Sequence, residues 1–280
     1  MENFSKYMLK NIIDYTAIFF FICLILVAVF APMLTPYTIS EGEITNRLIP
    51  PQGLKGPHIL GTDYLGRDVL TRLLHGTRIS LLVGVVSVLG AAFMGTIVGL
   101  IASWWRGSTD FILMRIVDVQ LSFPFFLLVL FIAAVLGPSL KNVIITLIIA
   151  TWAPYARLVR GEALSIRETE FIEASQAIGA GAFRIIFLHV LPNLLHTLIV
   201  YSSLEIGRVI ISEAAVSFLG YGVQPPTPSW GVMISEGRTY LYSAWWLTFF
   251  PGIMIILTTV SVNLIGERLR ESRDPHKSLR

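Results

Sequence analysis

Long apolar stretches divided by shorter polar ones set the pattern of this chain. Tyr15 to Met33 carries no charge, and neither does Ile79 to Trp105. A bilayer-spanning helix needs about 20 mostly apolar residues. Six stretches reach or approach that length: Tyr15 to Met33, a span within Ile79 to Trp105, Phe111 to Leu136, the shorter Asn142 to Val159, Asn193 to Leu219, and Ala244 to Gly266. The pattern predicts an all-α integral membrane protein with six transmembrane helices and both termini on one side. Gly84, Gly90, Gly95 and Gly99 mark the second span as one that neighbouring helices can approach closely. The first stretch reads as a span and not as a cleaved signal. Its apolar core is too long, and Pro32 and Pro36 stand where small residues should precede a cut.

The predicted organisation follows: a cytoplasmic N-terminus at 1–13, a first span at 14–34, an outer segment at 35–78 containing an interfacial helix, and a core at 79–266. Within the core lie an inner loop at 160–191 and an outer loop at 220–243, and a tail at 267–280 ends the chain. The outer loop contains Gln224-Pro225-Pro226-Thr227-Pro228-Ser229-Trp230, which reads as a rigid connection, with Trp230 and Tyr240 as candidate interfacial anchors.

Composition strengthens this picture. Hydrophobic residues make up 54% and charged residues 14%, with a mean hydropathy of +0.72, against roughly 25% charged in a soluble domain. A water-soluble globule, a disordered chain and a collagen-like chain are excluded. The one cysteine, Cys23, lies in an apolar run and excludes an internal disulfide framework. The net charge of +3 does not point to nucleic acid, because the basic residues sit beside apolar runs. Placing the N-terminus in the cytoplasm puts thirteen Lys and Arg inside, among them Lys6, Lys10, Arg273, Lys277 and Arg280, against seven outside. That bias predicts an N-in, C-in topology.

Two polar segments carry candidate chemistry, and so does one span. In the inner loop, Arg167 to Ile178 has helix-forming composition, with Phe171, Ile172, Ala174 and Ile178 on an apolar side, and Gly179 and Gly181 end it. Arg184 to Leu191 is a second short piece, and Pro192 is expected to break the chain before the fifth span. A short helix lying across the membrane face between two spans suits a groove on a cytoplasmic partner; an ordinary amphipathic interfacial helix has the same pattern. In the fifth span, Tyr201, Ser202, Glu205, Arg208, Ser212 and Glu213 fall within an arc of about 140° at 100° per residue. Charges there are costly facing lipid. The stripe lines a translocation pathway or contacts a partner, or it is a structural ion pair inside the bundle, with Glu213 capping contacts to the Pro-rich loop. In the outer segment, Val69, Leu70, Leu73 and Leu74 share one side of a stripe while Arg67, Asp68 and Arg72 fall elsewhere. Asp63, Arg67, Asp68, Arg72 and Arg78 are candidates for docking or gating on the outer face; a plain membrane-surface helix is the simpler reading.

Catalytic and cofactor motifs do not emerge. None of the five lysines follows the glycine that a phosphate loop requires, the histidines are scattered, and no nucleophile has a base beside it. No catalytic residue and no metal site are expected.

A resemblance sharpens the reading. Glu173-Ala174-Ser175, Gly179 and His189-Val190-Leu191-Pro192 are spaced as in the EAA signature of permease subunits of ATP-binding-cassette (ABC) importers. Ser175 replaces the second alanine, and His189 stands where isoleucine is usual. Gly61-Thr62-Asp63, Gly66-Arg67-Asp68, Gly76-Thr77-Arg78, Ser217-Phe218-Leu219-Gly220 and Pro228-Ser229-Trp230-Gly231 resemble C-type subunits of the dipeptide, oligopeptide and nickel importers. The likeness runs from about Gly61 to Pro275 and implies a type I ABC importer permease (MetI-like) fold in a bacterial or archaeal cytoplasmic membrane. It implies a coupling helix formed by Glu170, Phe171, Ile172, Glu173, Ala174, Ser175, Ala177, Ile178 and Gly179. The implied partners are a second homologous permease, two ATPase subunits that hold the ATP and magnesium, and an extracytoplasmic substrate-binding protein. The implied cargo is a dipeptide or oligopeptide, with a nickel chelate or glutathione as alternatives within the family. A secondary transporter working through Glu205, Arg208 and Glu213 is the alternative from another class.

Overall fold

The computed structural model describes residues 2–271, with side chains from residue 12 onward. Arg273, Lys277 and Arg280, counted above for topology, lie outside the described residues, as do the side chains of Lys6 and Lys10. Regular structure among the described residues is helical, apart from two isolated bridges, Gly42 to Arg67 and Thr62 to Asp68.

Helix α1 (Glu2–Leu34) lies at the edge of the bundle, against α2 (Val69–Trp104) and α10 (Trp246–Glu271). It leaves Phe19, Val29 and Met33 exposed, as lipid-facing side chains should be. More than a third of the way along it, Asp14 receives Arg268 of α10 at 3.4 Å, which ties the first helix to the last turn of α10.

Helix α2 has 36 residues, about 54 Å at 1.5 Å per residue, and so outruns a hydrocarbon core of about 30 Å. Its length corrects one expectation. The interfacial helix sought within 35–78 is not a separate element but the first turns of α2, which starts directly after Asp68. Asp68 accepts bonds from the Thr71 backbone N–H and hydroxyl, both at 2.8 Å, as the N-cap. No proline interrupts the run from Val69 to Trp104, and Gly76 lies against Trp230. Thr71 and Arg72, on the polar side of the stripe, are buried by neighbouring elements and do not face solvent.

The third predicted span is broken. α3 (Ser108–Ser122) and α4 (Phe125–Leu136) meet at 94°. Phe123 is extended because Pro124 disfavours helical geometry in the residue before it. α5 (Leu140–Arg167) continues well beyond Val159, because Gly161 is the only poor helix former in its last two turns. After α6 (Glu170–Ala177), α7 (Ala182–Ile185) leads through a π-helical turn at Ile186–Val190 into α8 (Leu191–Phe218). The expected break at Pro192 is therefore absent: Ala182–Phe218 forms one 37-residue apolar unit. The wider π turn relieves the clash between a proline ring and the carbonyl four residues earlier. α9 (Trp230–Gly237) is short and capped by Ser229. Among the described residues, five helices are long and apolar enough to cross a membrane, and the α3–α4 pair makes six if it is one bent span.

The core has two parts. α2, α5 and α8 enclose the larger one, which includes Leu147, Tyr155, Val159 and Leu194. Gly95 makes the α2–α5 approach possible: a β-carbon there would meet Tyr155 Cβ and sit 2.6 Å from the Trp152 carbonyl. The smaller part joins Leu24, Val69, Trp230 and Trp246 at the other end. Trp230 is fully buried and donates its indole N–H to the Leu73 carbonyl at 3.3 Å, so it packs the core and is not an interfacial anchor.

Candidate functional site

The inner loop is built around α6. Thr169 precedes it, and Glu170 and Glu173 lie in its first turn, where negative charge suits the helix dipole. It ends in a Schellman arrangement. The Gly179 N–H donates to the Gln176 carbonyl at 2.9 Å and the Ala180 N–H to the Ser175 carbonyl at 3.0 Å. Gly179 takes φ = 83°, a left-handed conformation that favours glycine. Ile172 is fully buried against the bundle, so of the nine predicted coupling residues it is the inward anchor. Glu170, Phe171, Glu173, Ala174, Ala177, Ile178 and Gly179 are exposed, and Ser175 is half-buried with its hydroxyl on the Phe171 carbonyl. Ile178 is 86% exposed, a large apolar side chain held at the tip of the loop. Arg167 ties the loop to the bundle, donating to the Ser103 and Trp104 carbonyls at 3.1 and 3.0 Å at the end of α2. The small outward surface of Ala174 and Ala177, flanked by Phe171 and Ile178, is thus carried on a rigid bracket between α5 and the α7–α8 unit.

The six polar residues of α8 do not share one open face. Tyr155 donates to the Ser202 hydroxyl at 3.1 Å and packs edge-on against Tyr201, so this part of the stripe faces α5. Glu205 is buried, and Arg208 reaches it at 3.3 Å. The Arg208 side chain is 47% exposed and lies over the Phe125 ring at 4.2 Å, beside the α3–α4 break. Ser212 bonds back to the Arg208 carbonyl. Glu213 departs from the open-stripe reading: it is fully buried and accepts from Ser217 at 2.7 Å, Ser229 at 2.9 Å and Ser80 at 3.4 Å. Those three hydroxyls join α8 to α2 and the start of α9, so Glu213 is a packing and capping centre within the subunit.

The outer segment gathers three of its five candidates around Glu236 of α9. Asp63 receives Arg67 Nε and Arg72 Nη1, each at 2.7 Å, and Arg72 also reaches Glu236 of α9 at 2.6 Å. Tyr64 donates to Glu236 at 3.3 Å. Burial opposes the Arg67 charge, but Asp63 and Glu236 outweigh it and hold the guanidinium above its ordinary value. Burial, reinforced by Glu236, raises the Tyr64 phenol as well. Asp68 caps α2 and accepts His58 Nδ1 at 3.0 Å. Arg78 is exposed and stands apart from this network. These residues form an internal clamp between the outer segment and α9, not an open docking face. Sequence reading missed Glu236, His58, Phe125 and the three serines around Glu213. Among the described residues, no group of three or more His, Cys, Asp and Glu is placed to hold a metal ion.

Comparison with known proteins adds a second kind of observation. Residues 79–275 match the family described as the inner membrane component of binding-protein-dependent transport systems. Residues 4–51 match the N-terminal transmembrane domain of oligopeptide transport permease C. A dipeptide transport system permease protein DppC from Alkalihalophilus pseudofirmus is 43% identical, covering 96% of this chain and 88% of the relative. A di/tripeptide transport system permease protein DppC from Pseudomonas aeruginosa is 40% identical over 91% of this chain and 86% of the relative. A glutathione transport system permease protein GsiD from Pectobacterium atrosepticum is 39% identical over 98% and 90%. Among solved structures, an inward-facing MetNI methionine ABC transporter chain aligns with a TM-score of 0.59 at 21% identity, covering 72% of this chain and 97% of that one. That likeness is one of fold.

Proposed function

The chain belongs to the inner-membrane components of binding-protein-dependent transport systems, and from that premise we propose that it is the C-type permease subunit of an ATP-driven importer of short peptides. Membership makes it an ABC-type permease with a MetI-like helical fold. A secondary transporter built on Glu205, Arg208 and Glu213 has no support in this family. The peptide cargo is drawn from the names of the relatives, two of which are di- or tripeptide permeases. Glutathione is the second reading, favoured by the equally full-length match to a glutathione permease.

The observation that carries the mechanism is the geometry of α6. It is anchored inward by Ile172, closed at Gly179, and open toward the outside of the bundle through Phe171, Ala174, Ala177 and Ile178. In this reading α6 seats in a groove on an ATPase subunit. Two ATPases bind ATP and magnesium, this chain carries no catalytic step, and a second permease completes the pathway. When the ATPases close, the displaced α6 moves α5 and the α7–α8 unit together, since both helices run directly into it. A substrate-binding protein delivers cargo on the other side of the cytoplasmic membrane, at the face bearing the Asp63, Arg67 and Arg72 clamp and the Asp68 cap. Tyr201, Ser202, Glu205, Arg208 and Ser212 are the candidates along the pathway.

The test is uptake of a labelled dipeptide into proteoliposomes holding the complete complex. Uptake is expected only with internal ATP and external binding protein. Uptake driven by a proton gradient without ATP would contradict the proposal.

A further inference from the structure

Of the three charged side chains in α8, Glu205 and Glu213 are buried, and only Arg208 is open, at 47% exposure. It stands ten residues before the helix ends at Phe218, about 15 Å from that end at 1.5 Å per residue. A charge at such depth faces the interior of an assembly or a water-filled cavity, not lipid. Two clefts flank the guanidinium. One, of about 210 Å³, is lined by Gln120, Thr151 and Pro154. The other, of about 370 Å³, is lined by Ser212, Thr259 and Asn263. Phe125 borders both clefts, with its ring under the guanidinium.

Arg208 is bonded more loosely than Arg160 and Arg72. Arg160 holds Asp110 with two parallel bonds. Arg72 meets Asp63 and Glu236 at 2.7 and 2.6 Å. Arg208 approaches Glu205 through one nitrogen at 3.3 Å, and the buried Oε1 it approaches has no hydrogen bond. A guanidinium offers five N–H groups in a fixed fork, so most of this fork is uncommitted. Phe125 fixes its plane, and Glu205 holds one edge of it.

We propose that Arg208 binds the carboxylate of the cargo as it passes through the membrane, with Glu205 as the positioning residue behind it. The inference rests on the importer reading above and names its recognition chemistry: a solute with a free carboxylate, held by a planar fork. A zwitterionic peptide is such a solute, and so is any other cargo with a carboxylate end. A carboxylate from the partner permease is the competing occupant.

The test uses the complete complex in proteoliposomes. ATP-dependent uptake of a dipeptide by the wild-type complex tests the importer reading alone. Arg208→Gln then tests the inference. ATP hydrolysis stimulated by peptide-loaded binding protein should persist, while uptake per ATP falls roughly tenfold or more. Arg208→Lys should recover only part, because an ammonium lacks the fork. Wild-type uptake per ATP in Arg208→Gln overturns the inference. So does failure of that variant to pair with the second permease while Arg208→Lys pairs normally, since Arg208 is then a subunit contact. A second variant reads the site independently of assembly defects: Arg208→Cys in a Cys23→Ala background. A water-soluble cationic thiosulfonate should react during turnover and raise uptake, whereas a neutral one should not. No reaction, or an equal effect from both reagents, overturns the proposal.

Discussion

Glu236 joins two arginines and a tyrosine across the gap between the outer segment and α9. Removing one partner from a buried charged network leaves the others desolvated without compensation, at a cost of roughly 3 kcal/mol or more. Glu236→Ala should therefore lower the thermal stability of the detergent-solubilised complex sharply. Arg78→Ala, on the exposed side of the same region, should change it by less than about 0.5 kcal/mol. Equal shifts for the two variants would mean that the clamp contributes nothing. The arginines and Asp63 were legible in the sequence as a charged group outside the membrane. Their burial was not, because it depends on α9, whose Glu236 lies 164 residues from Arg72 along the chain. Glu213 shows the same limit. Helical spacing placed it on the edge of a polar arc, but three serines from separate segments decide that it faces inward.

At the scale of elements, apolar run length located the spans, and glycine spacing marked the face of α2 that receives its neighbours. Gly90, Gly95 and Gly99 all lie against α5, and Gly84 lies against Ile210 of α8. Without a hydrophobic drive between helices in lipid, such close packing is what holds spans together. Gly95→Leu should force α2 and α5 apart, costing roughly 1–3 kcal/mol or more as overpacking. The measurement is a lowered unfolding midpoint together with increased protease access to the inner loop; an unchanged midpoint would count against the α2–α5 core. Besides the longer α5, three element-level expectations changed with the structure, each for a local reason. Pro124 breaks the third span, a π turn carries the helix past Pro192, and the outer interfacial helix merges into α2 because nothing between Val69 and Arg78 stops it. The end of α6 was legible because Gly179 leaves a chemical mark, a residue suited to φ = 83°, whereas its start was not: the composition ran the helix from Arg167, which closes α5, and α6 begins at Glu170.

For the whole molecule, the arrangement joins a rigid outer clamp, a bundle in which α8 carries an open arginine, and an inner bracket connected to two long helices. In the proposed function, separate ATPase subunits hold the nucleotide and the motion enters this chain through α6. The most direct measurement is affinity purification of the tagged chain in mild detergent, as wild type and as Ala174→Arg. Ala174 is exposed at the middle of α6, and arginine is a good helix former, so the variant should fold normally. The wild type should bring down a second permease and ABC ATPase subunits. The variant should keep the second permease, lose the ATPases and show no stimulated ATP hydrolysis. Full retention of the ATPases by Ala174→Arg, or recovery of the wild-type chain with no ATPase at all, would contradict the account.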